Sequence, residues 1–224
     1  MTGMTRRFWL AASAAGAGVL GGLLTREARS DGPSSRERIR ARYFPDVILT
    51  THEGKQVRFY DDLIKDKIVV INLMYTRCAD GTCPLTTANL VRVQKLLKDR
   101  VGRDIFMYSI TLTPEHDTPA VLKRYAKSYG VGPGWVFLTG KPGDVELLRR
   151  KLGFTDPDPA RDANKANHIG MVRYGNERDQ LWAAVPGMAK PEWIAESISW
   201  ADFAKPAAGA GCSTCADESE RIRG

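Results

Sequence analysis

Two cysteines separated by four residues are the part of this sequence best suited to chemistry. Cys78 follows a continuous apolar run that suits a buried strand. Cys83 is expected at the N-cap of a helix, because the next residue, Pro84, suits the first helical position. A helix N-terminus stabilises a thiolate through its dipole and its unpaired N–H groups. With the positive charge of Arg77 nearby, this placement predicts a lowered pKa for the Cys83 thiol.

The residues between the two cysteines predict that their sulfur atoms can meet. Asp80 and Gly81 form a turn signal, so the chain can fold back within the loop. Two adjacent thiols can cycle between dithiol and disulfide, or bind a soft metal ion such as Cu(I) as thiolates. A static structural disulfide, or a pair without function, is the plainer interpretation. The spacing alone leaves all of these open.

The surrounding pattern predicts the elements that position this pair. Three apolar runs suit strands of a sheet covered on both faces, namely residues 67–75, 104–111 and 135–139. Helices are expected to start at Pro84, Pro119 and Pro142. A hairpin of residues 168–174 and 180–185, turning at Gly175 and Asn176, and a last helix over residues 191–200 follow. This order predicts a three-layer α/β domain with a mixed sheet over residues 44–203.

The first thirty residues have the order of an export signal. Arg6 and Arg7 precede an apolar run over residues 8–24 and a polar end over residues 25–30. The paired arginines resemble a twin-arginine signal, which a receptor reads. Cleavage of this segment and its retention as an N-terminal anchor both remain open. In either case the rest of the chain is expected outside the cytoplasm, in the periplasm or held at the inner membrane, where thiols can be oxidised.

Two further segments carry no core-forming pattern. Residues 31–43 are rich in Ser and Arg and are interpreted as a linker, and residues 204–224 as a flexible tail. The tail contains Cys212 and Cys215, a pair separated by two residues. Two alternatives are open for this pair: a disulfide formed within the tail, or exchange of disulfides or metal with the first pair at the raised local concentration that a tether provides.

Composition excludes several classes of protein. With 43% apolar and 26% charged residues among 224, the chain has a globular balance and enough length for one domain with a buried core. The formal net charge is +7, but three of those charges come from residues 1–30, and the remaining basic residues are mixed with acidic ones. Nucleic-acid binding is therefore disfavoured.

Several motifs together resemble the Sco/SenC family, thioredoxin-fold copper proteins of the bacterial envelope and the mitochondrial inner membrane. They are the cysteine loop followed by Pro84, the strand Asp104-Ile-Phe-Met-Tyr-Ser-Ile-Thr, the segment Thr113-Pro-Glu-His-Asp-Thr-Pro, the strand Trp135-Val-Phe-Leu-Thr-Gly, and Asn167-His-Ile. The resemblance covers about residues 44–203 and implies a thioredoxin-like fold. It also implies a copper site made of Cys78, Cys83 and His168, in a protein that helps to mature the dinuclear copper centre of cytochrome c oxidase.

The sequence departs from that family's pattern in its cysteine loop. Four residues separate the cysteines where the family usually has three, and Arg77 stands where an aromatic residue usually precedes the first cysteine. Asp80 falls where the family's loop often has an aspartate. A longer loop loses more conformational entropy when it closes on a metal. We therefore expect the extra residue to weaken copper binding more than it weakens disulfide formation.

Three functions follow as hypotheses. The first is an exported copper chaperone whose partner is the copper-site subunit of cytochrome c oxidase or of another cuproenzyme. The second is a periplasmic thiol–disulfide oxidoreductase that uses Cys78 and Cys83 on thiol–disulfide partners. A peroxidase of the thioredoxin superfamily is disfavoured, because the Pro-x-x-x-Thr-x-x-Cys context of peroxiredoxins does not surround Cys78. His52 and His116 are interpreted as solvated side chains.

Overall fold

A computed structural model describes residues 32–164 and 170–202 of the chain. Within them, a seven-stranded mixed sheet forms the centre of an α/β domain. The strands are β1 Ile48–Thr51, β2 Gln56–Arg58, β3 Ile68–Met74, β4 Ile105–Thr111, β5 Trp135–Gly140, β6 Met171–Asn176 and β7 Leu181–Pro186. Their spatial order is β2-β1-β5-β4-β3-β6-β7. β4 runs parallel to both β3 and β5, and the other neighbouring pairs are antiparallel.

Helices flank this sheet. They are α1 Ser35–Tyr43, α2 Thr82–Leu97, α3 Pro119–Ser128, α4 Pro142–Lys151, α5 Pro159–Asp162 and α6 Pro191–Trp200. Two crossovers join parallel neighbours, from β3 through α2 to β4 and from β4 through α3 to β5. Since such connections are right-handed as a rule, α2 and α3 are expected on the same face of the sheet. Thr87 of α2 and Tyr125 of α3 accordingly share a hydrogen bond of 3.0 Å. The α6 helix packs against α2, so the expected α/β fold with a mixed sheet is confirmed.

The central strand β3 is buried along its whole length, as its apolar sequence predicts. All seven of its residues are buried, because β4 and β6 flank its edges and helices cover the sheet. A polar cluster lies between β3, β4 and β5: the Ser109 hydroxyl donates to Asn72 Oδ1 at 2.7 Å, and Trp135 Nε1 donates to the Ser109 oxygen at 2.9 Å. These buried polar groups satisfy one another.

The central strands and the last helix agree with the sequence pattern, whereas α2 starts at Thr82, two residues before the expected Pro84, and the last hairpin is displaced. Strands β3, β4 and β5 and helix α6 lie within one residue of the expected ranges. The hairpin turn comes later than expected, at residues 177–180, and Gly175 and Asn176 belong to β6. Gly175 pairs with Trp182, and a Cβ on Gly175 would lie 2.3 Å from the indole ring. A close approach within the sheet therefore requires this glycine, rather than a turn.

Helix α1 lies within residues 31–43, which the composition suggested were a linker. Ser34 and Glu37 form a capping box at its start. Arg36 donates two hydrogen bonds, of 2.7 and 2.5 Å, to the carboxylate of Glu177. None of the nine residues of α1 is buried. The helix therefore lacks the apolar periodicity by which a sequence pattern reveals a helix, and a long-range ion pair holds it.

Three segments lie outside the described residues: 1–31, 165–169 and 203–224. They contain the expected export signal, His168, and the tail with Cys212 and Cys215, so the expectations about these parts remain predictions. Among the helices that the structure describes, none is both long enough and apolar enough to cross a bilayer.

Candidate dithiol and metal site

The two cysteines lie where the central strand passes into helix α2. Residues 75–81 connect the end of β3 to α2, which starts at Thr82. Cys83 is therefore the second residue of the helix and not its N-cap, which is Gly81, because the helix begins before Pro84. Cys78 lies in the loop before it. Gly81 precedes the helix in a left-handed conformation, with a φ of 78°, which residues with a side chain rarely adopt. This tight entry lets the loop turn back toward the helix.

A short chain of hydrogen bonds joins the two cysteines. The Cys78 thiol donates to Asp80 Oδ1 at 2.8 Å, and the same oxygen accepts the backbone N–H of Thr82 at 3.0 Å. The backbone N–H of Cys83 donates to Cys78 Sγ at 3.2 Å. Both cysteines are thiols in the structure. The Asp80 carboxylate thus organises the four-residue loop and places Cys78 over the start of α2.

Burial dominates the acidity of Cys83. This residue is 2% exposed, and its burial raises the pKa of the Cys83 thiol well above the ordinary value. A hydrogen bond from the Tyr75 backbone lowers that pKa, whereas the neighbouring Cys78 and Asp80 raise it further. Arg77 is exposed, so water and salt screen its charge. The expected lowering of this pKa is therefore wrong, because the lost hydration of the thiolate outweighs the helix dipole.

Two tyrosines border the cysteines, and the sequence pattern did not indicate either. Burial and the adjacent Cys78 raise the pKa of Tyr75 to about 12. On the helix side, the Thr87 hydroxyl donates to the Cys83 carbonyl at 2.9 Å and lies 3.0 Å from the Tyr125 hydroxyl. The position of Tyr75 directly after the apolar run is a signal that could have revealed it. Tyr125 comes from α3, and only the fold brings it to α2.

His168, the third expected ligand, lies outside the described residues. Gly170, where the described chain resumes, lies beside the start of α2, because a Cβ on Gly170 would be 3.7 Å from the Thr82 methyl group. Within the part of the chain that the structure describes, no group of three or more His, Cys, Asp or Glu side chains forms a metal cluster. The structure therefore brings together Cys78 and Cys83, and the role of His168 stays a prediction.

The other two histidines have different environments. His52 Nδ1 accepts the backbone N–H of Phe137 at 3.0 Å, and the side chain is only 15% exposed. The interpretation of His52 as solvated is therefore wrong, because this imidazole satisfies a backbone donor next to the pairing of β1 with β5. His116 is exposed, as expected.

The donor atoms of this site suit both uses that the spacing left open. Two thiolate sulfur atoms are soft ligands of the kind that select Cu(I). Two neighbouring thiols are also the reduced form of a disulfide. Because burial disfavours the Cys83 thiolate, a bound cation would supply the charge that stabilises it.

A comparison with protein families finds that residues 36–201 match the SCO1/SenC model. The match begins inside α1 and ends directly after α6, so it includes the whole described sheet and the cysteine loop. The family expected from the sequence motifs is confirmed.

Similar sequences carry the same family name. The SCO1 protein homolog of Bacillus subtilis is 33% identical over 89 residues, which are 39% of this chain and 44% of that protein. The SCO2-like protein of Rickettsia felis is 32% identical over 95 residues, which are 42% of this chain and 44% of that protein. The matched stretch spans less than half of the length of these curated relatives.

Similar solved structures cover more of the chain. Copper-bound ScoI of Bradyrhizobium japonicum has a TM-score of 0.55 and 23% identity, over 69% of this chain and 96% of that one. Copper-bound yeast Sco1 has a TM-score of 0.57 and 21% identity, over 72% and 88%. BsSco, described as a member of the Sco family of cytochrome c oxidase assembly proteins with a disulfide switch, has a TM-score of 0.57 and 23% identity, over 71% and 92%. These likenesses confirm the thioredoxin-like fold.

Proposed function

Because the chain belongs to the SCO1/SenC family, we propose that it is an exported copper-binding chaperone that assists the assembly of a cuproenzyme copper site, such as that of cytochrome c oxidase. The observation that carries this proposal is the pairing of two buried thiols, Cys78 and Cys83, at the start of α2. Two proteins of the same fold hold copper in their solved structures. A third is described as belonging to a family of cytochrome c oxidase assembly proteins.

We infer that Cys78 and Cys83 supply two thiolate ligands and that His168 completes the set. Asp80 orients Cys78 through the thiol hydrogen bond, and the backbone of Tyr75 holds the Cys83 sulfur. Metal binding requires both thiols to lose their protons, so the apparent Cu(I) affinity should rise with pH through the neutral range.

Competition between the reduced full-length protein and a chromophoric Cu(I) chelator tests this proposal. Cys78→Ser and Cys83→Ser should each weaken Cu(I) binding more than His168→Ala, since thiolate is the softer donor and carries a charge. His116→Ala, at an exposed histidine, is the matched control and should leave the affinity unchanged.

Repeating this series without residues 204–224 separates the loop from any contribution of the tail cysteines. Cu(I) affinity that survives both cysteine substitutions in the shortened chain would contradict the copper function. An affinity unchanged by His168→Ala, with the fold intact by circular dichroism, would remove His168 from the ligand set and leave the rest of the proposal standing.

A second function, thiol–disulfide exchange, is favoured by the contact of the Cys83 backbone N–H with Cys78 Sγ at 3.2 Å. The two thiols belong to one hydrogen-bonded loop, which is the arrangement that a reversible disulfide needs. A midpoint potential for the pair and turnover on a disulfide substrate would test this activity.

Deletion of the exposed residue Ala79 restores the three-residue spacing and should raise Cu(I) affinity while the dithiol still oxidises. Unchanged or weaker copper binding would show that loop length does not limit the site.

We also propose that residues 1–30 direct the chain out of the cytoplasm, to the periplasm or the outer face of the inner membrane. The order of charges and apolar residues in this segment supports the proposal. A protein of the same fold from Bacillus anthracis is described as a SCO1/SenC family lipoprotein, a kind of protein that is held at a membrane surface outside the cytoplasm.

A further inference from the structure

A buried carboxylate lies close in space to the cysteine loop, although Asp117 is 41 residues from Thr76 in the chain. Asp117 is 0% exposed, and four hydrogen bonds reach it. Its Oδ2 accepts the backbone N–H of Thr76 at 3.1 Å, the Thr111 hydroxyl at 2.5 Å and the Thr113 hydroxyl at 3.2 Å. Its Oδ1 accepts the Thr76 hydroxyl in a short contact. All four donors are uncharged, so hydrogen bonds from hydroxyl and amide groups compensate the burial of this carboxylate.

These hydrogen bonds join three separate parts of the fold. Thr76 lies in the connection that follows β3, Thr111 is the last residue of β4, and Asp117 itself lies just before α3. One side chain therefore ties the ends of two parallel strands to the start of the next helix. The four donors hold the Asp117 carboxylate in one orientation, because any rotation of the side chain would leave buried donors without an acceptor.

The part of the connection that Asp117 holds is also the part that contacts both cysteines. Thr76 stands two residues before Cys78. The preceding residue, Tyr75, contributes the backbone hydrogen bond that reaches the Cys83 sulfur. Residues 75–78 are called the clamped segment below. Asp117 holds this segment at Thr76. On one side of Thr76, Tyr75 contacts the Cys83 sulfur, and on the other side the segment ends with Cys78 itself.

We propose that Asp117 is a positioning residue for the dithiol: by fixing the clamped segment it sets the approach of the Cys78 and Cys83 sulfurs, and hence the reduction potential of the pair. This inference rests on the proposed function only in that the two thiols act as a pair. Loosening the clamped segment lowers the effective concentration of one thiol at the other and so destabilises the disulfide relative to the dithiol. The reduction potential should then become less negative.

Equilibration of the full-length protein with a glutathione buffer measures this quantity. Each pair that oxidises gives two electrons and two protons to glutathione disulfide, which becomes two molecules of glutathione, while one S–S bond breaks and one forms. Differential alkylation and mass spectrometry of the peptide that contains Cys78 and Cys83 report its oxidised fraction, separately from Cys212 and Cys215. The measurement needs no copper.

The decisive variant is Asp117→Asn, which keeps the shape of the side chain. It replaces one carboxylate oxygen, an acceptor, by an NH₂ group, a donor that faces the hydroxyl and amide donors around it. We expect an oxidation equilibrium constant at least about tenfold smaller, which corresponds to a potential about 30 mV less negative. Ser109→Ala is the matched control. It removes a buried hydroxyl of β4 that bonds Asn72 and Trp135, and therefore costs stability without touching the clamped segment. Its potential should stay at the wild-type value.

An unchanged potential in a folded Asp117→Asn protein, or the same shift in Ser109→Ala, would overturn the inference. If Asp117→Asn does not fold, Thr76→Val removes a single hydroxyl donor and keeps the backbone one, and it should shift the potential in the same direction by a smaller factor. A folded Thr76→Val protein with the wild-type potential would overturn the inference as well. Failure to bind Cu(I) would contradict the proposed chaperone function and would leave this result unaffected.

Discussion

The Cys83 side chain lies in the first turn of α2, where two effects on its acidity oppose each other. A helix N-terminus stabilises a nearby anion by about 0.3–1 kcal/mol at an exposed position. Full burial can shift a pKa by several units, each equivalent to about 1.4 kcal/mol. Because Cys83 is 2% exposed, burial prevails and the pKa of its thiol is raised. At neutral pH, Cys83 should therefore be protonated in the metal-free protein.

This raised pKa predicts the pH dependence of Cys83 alkylation. A thiolate is the reacting form, so the iodoacetamide rate at Cys83 should keep rising above pH 9 in the folded protein. In urea the same peptide should approach its plateau near the ordinary thiol pKa of about 8.5. Peptide-level mass spectrometry after timed quenching measures both rates. A plateau below about pH 8.5 in the folded protein would show that the helix end, and not burial, controls this thiol.

A second prediction at the residue scale concerns Gly81, which enters α2 with a φ of 78°. A Cβ at this position would meet no atom within 4 Å, so Gly81→Ala tests the backbone conformation alone. We expect it to lower the free energy of unfolding by about 1 kcal/mol. Gly143→Ala, in α4 with an ordinary φ and equally open space, should be neutral or slightly stabilising. Urea unfolding of both variants measures the difference, and equal effects would contradict the strain argument.

At the scale of elements, Glu177 connects α1 to the sheet through its hydrogen bonds with Arg36. It lies at the start of the turn between β6 and β7, is 1% exposed, and accepts hydrogen bonds from Arg36, the Tyr60 hydroxyl at 2.7 Å and the Asp66 backbone at 2.8 Å. Burial alone would raise the pKa of Glu177, but the hydrogen bonds from these three residues outweigh it and lower the pKa to about 2. The charged form of Glu177 is therefore the one that the folded state favours.

Glu177→Gln should consequently release α1 and lower the free energy of unfolding by roughly 2 kcal/mol. The sign of the pH effect follows from the lowered pKa: this stabilisation is complete above the unfolded value of about 4.3 and is lost as the pH falls through about 2. Urea unfolding between pH 7 and pH 2.5 measures it. The wild-type protein should lose more stability over this range than Glu177→Gln. Glu196→Gln, at an exposed glutamate of α6, should follow the wild type, and parallel curves for all three would contradict the assignment.

At the scale of the whole molecule, the proposed export rests on residues 1–30. If a receptor reads the paired Arg6 and Arg7, their joint replacement by lysine should leave the protein in the cytoplasm, although the charge is unchanged. Cell fractionation with immunodetection measures the distribution. Replacing Arg26 and Arg29 by lysine is the matched control and should leave export intact. A lysine-paired protein that reaches the periplasm at the normal level would contradict the twin-arginine interpretation.

The sequence by itself determined the features that depend on neighbouring residues. Continuous apolar runs indicated β3, β4 and β5, since a strand covered on both faces needs apolar residues at every position. The spacing of Cys78 and Cys83 around a turn signal indicated a dithiol at the start of a helix, and the motifs around it indicated the family.

Only the tertiary structure decided the properties that depend on residues far apart in the chain. The direction of the Cys83 pKa shift follows from how completely the fold excludes water from that thiol, which no local pattern encodes. Helix α1 has no fully buried residue, although Ile39 packs against the core, and the ion pair that helps to hold it comes from the distant Glu177. Asp117 resembles an ordinary acidic residue ahead of a helix until β3 and β4 align side by side and bring Thr76 and Thr111 to its carboxylate. Hydrogen-bond partners and desolvation are set by packing between elements, whereas hydrophobic periodicity reports only which side of each element is buried.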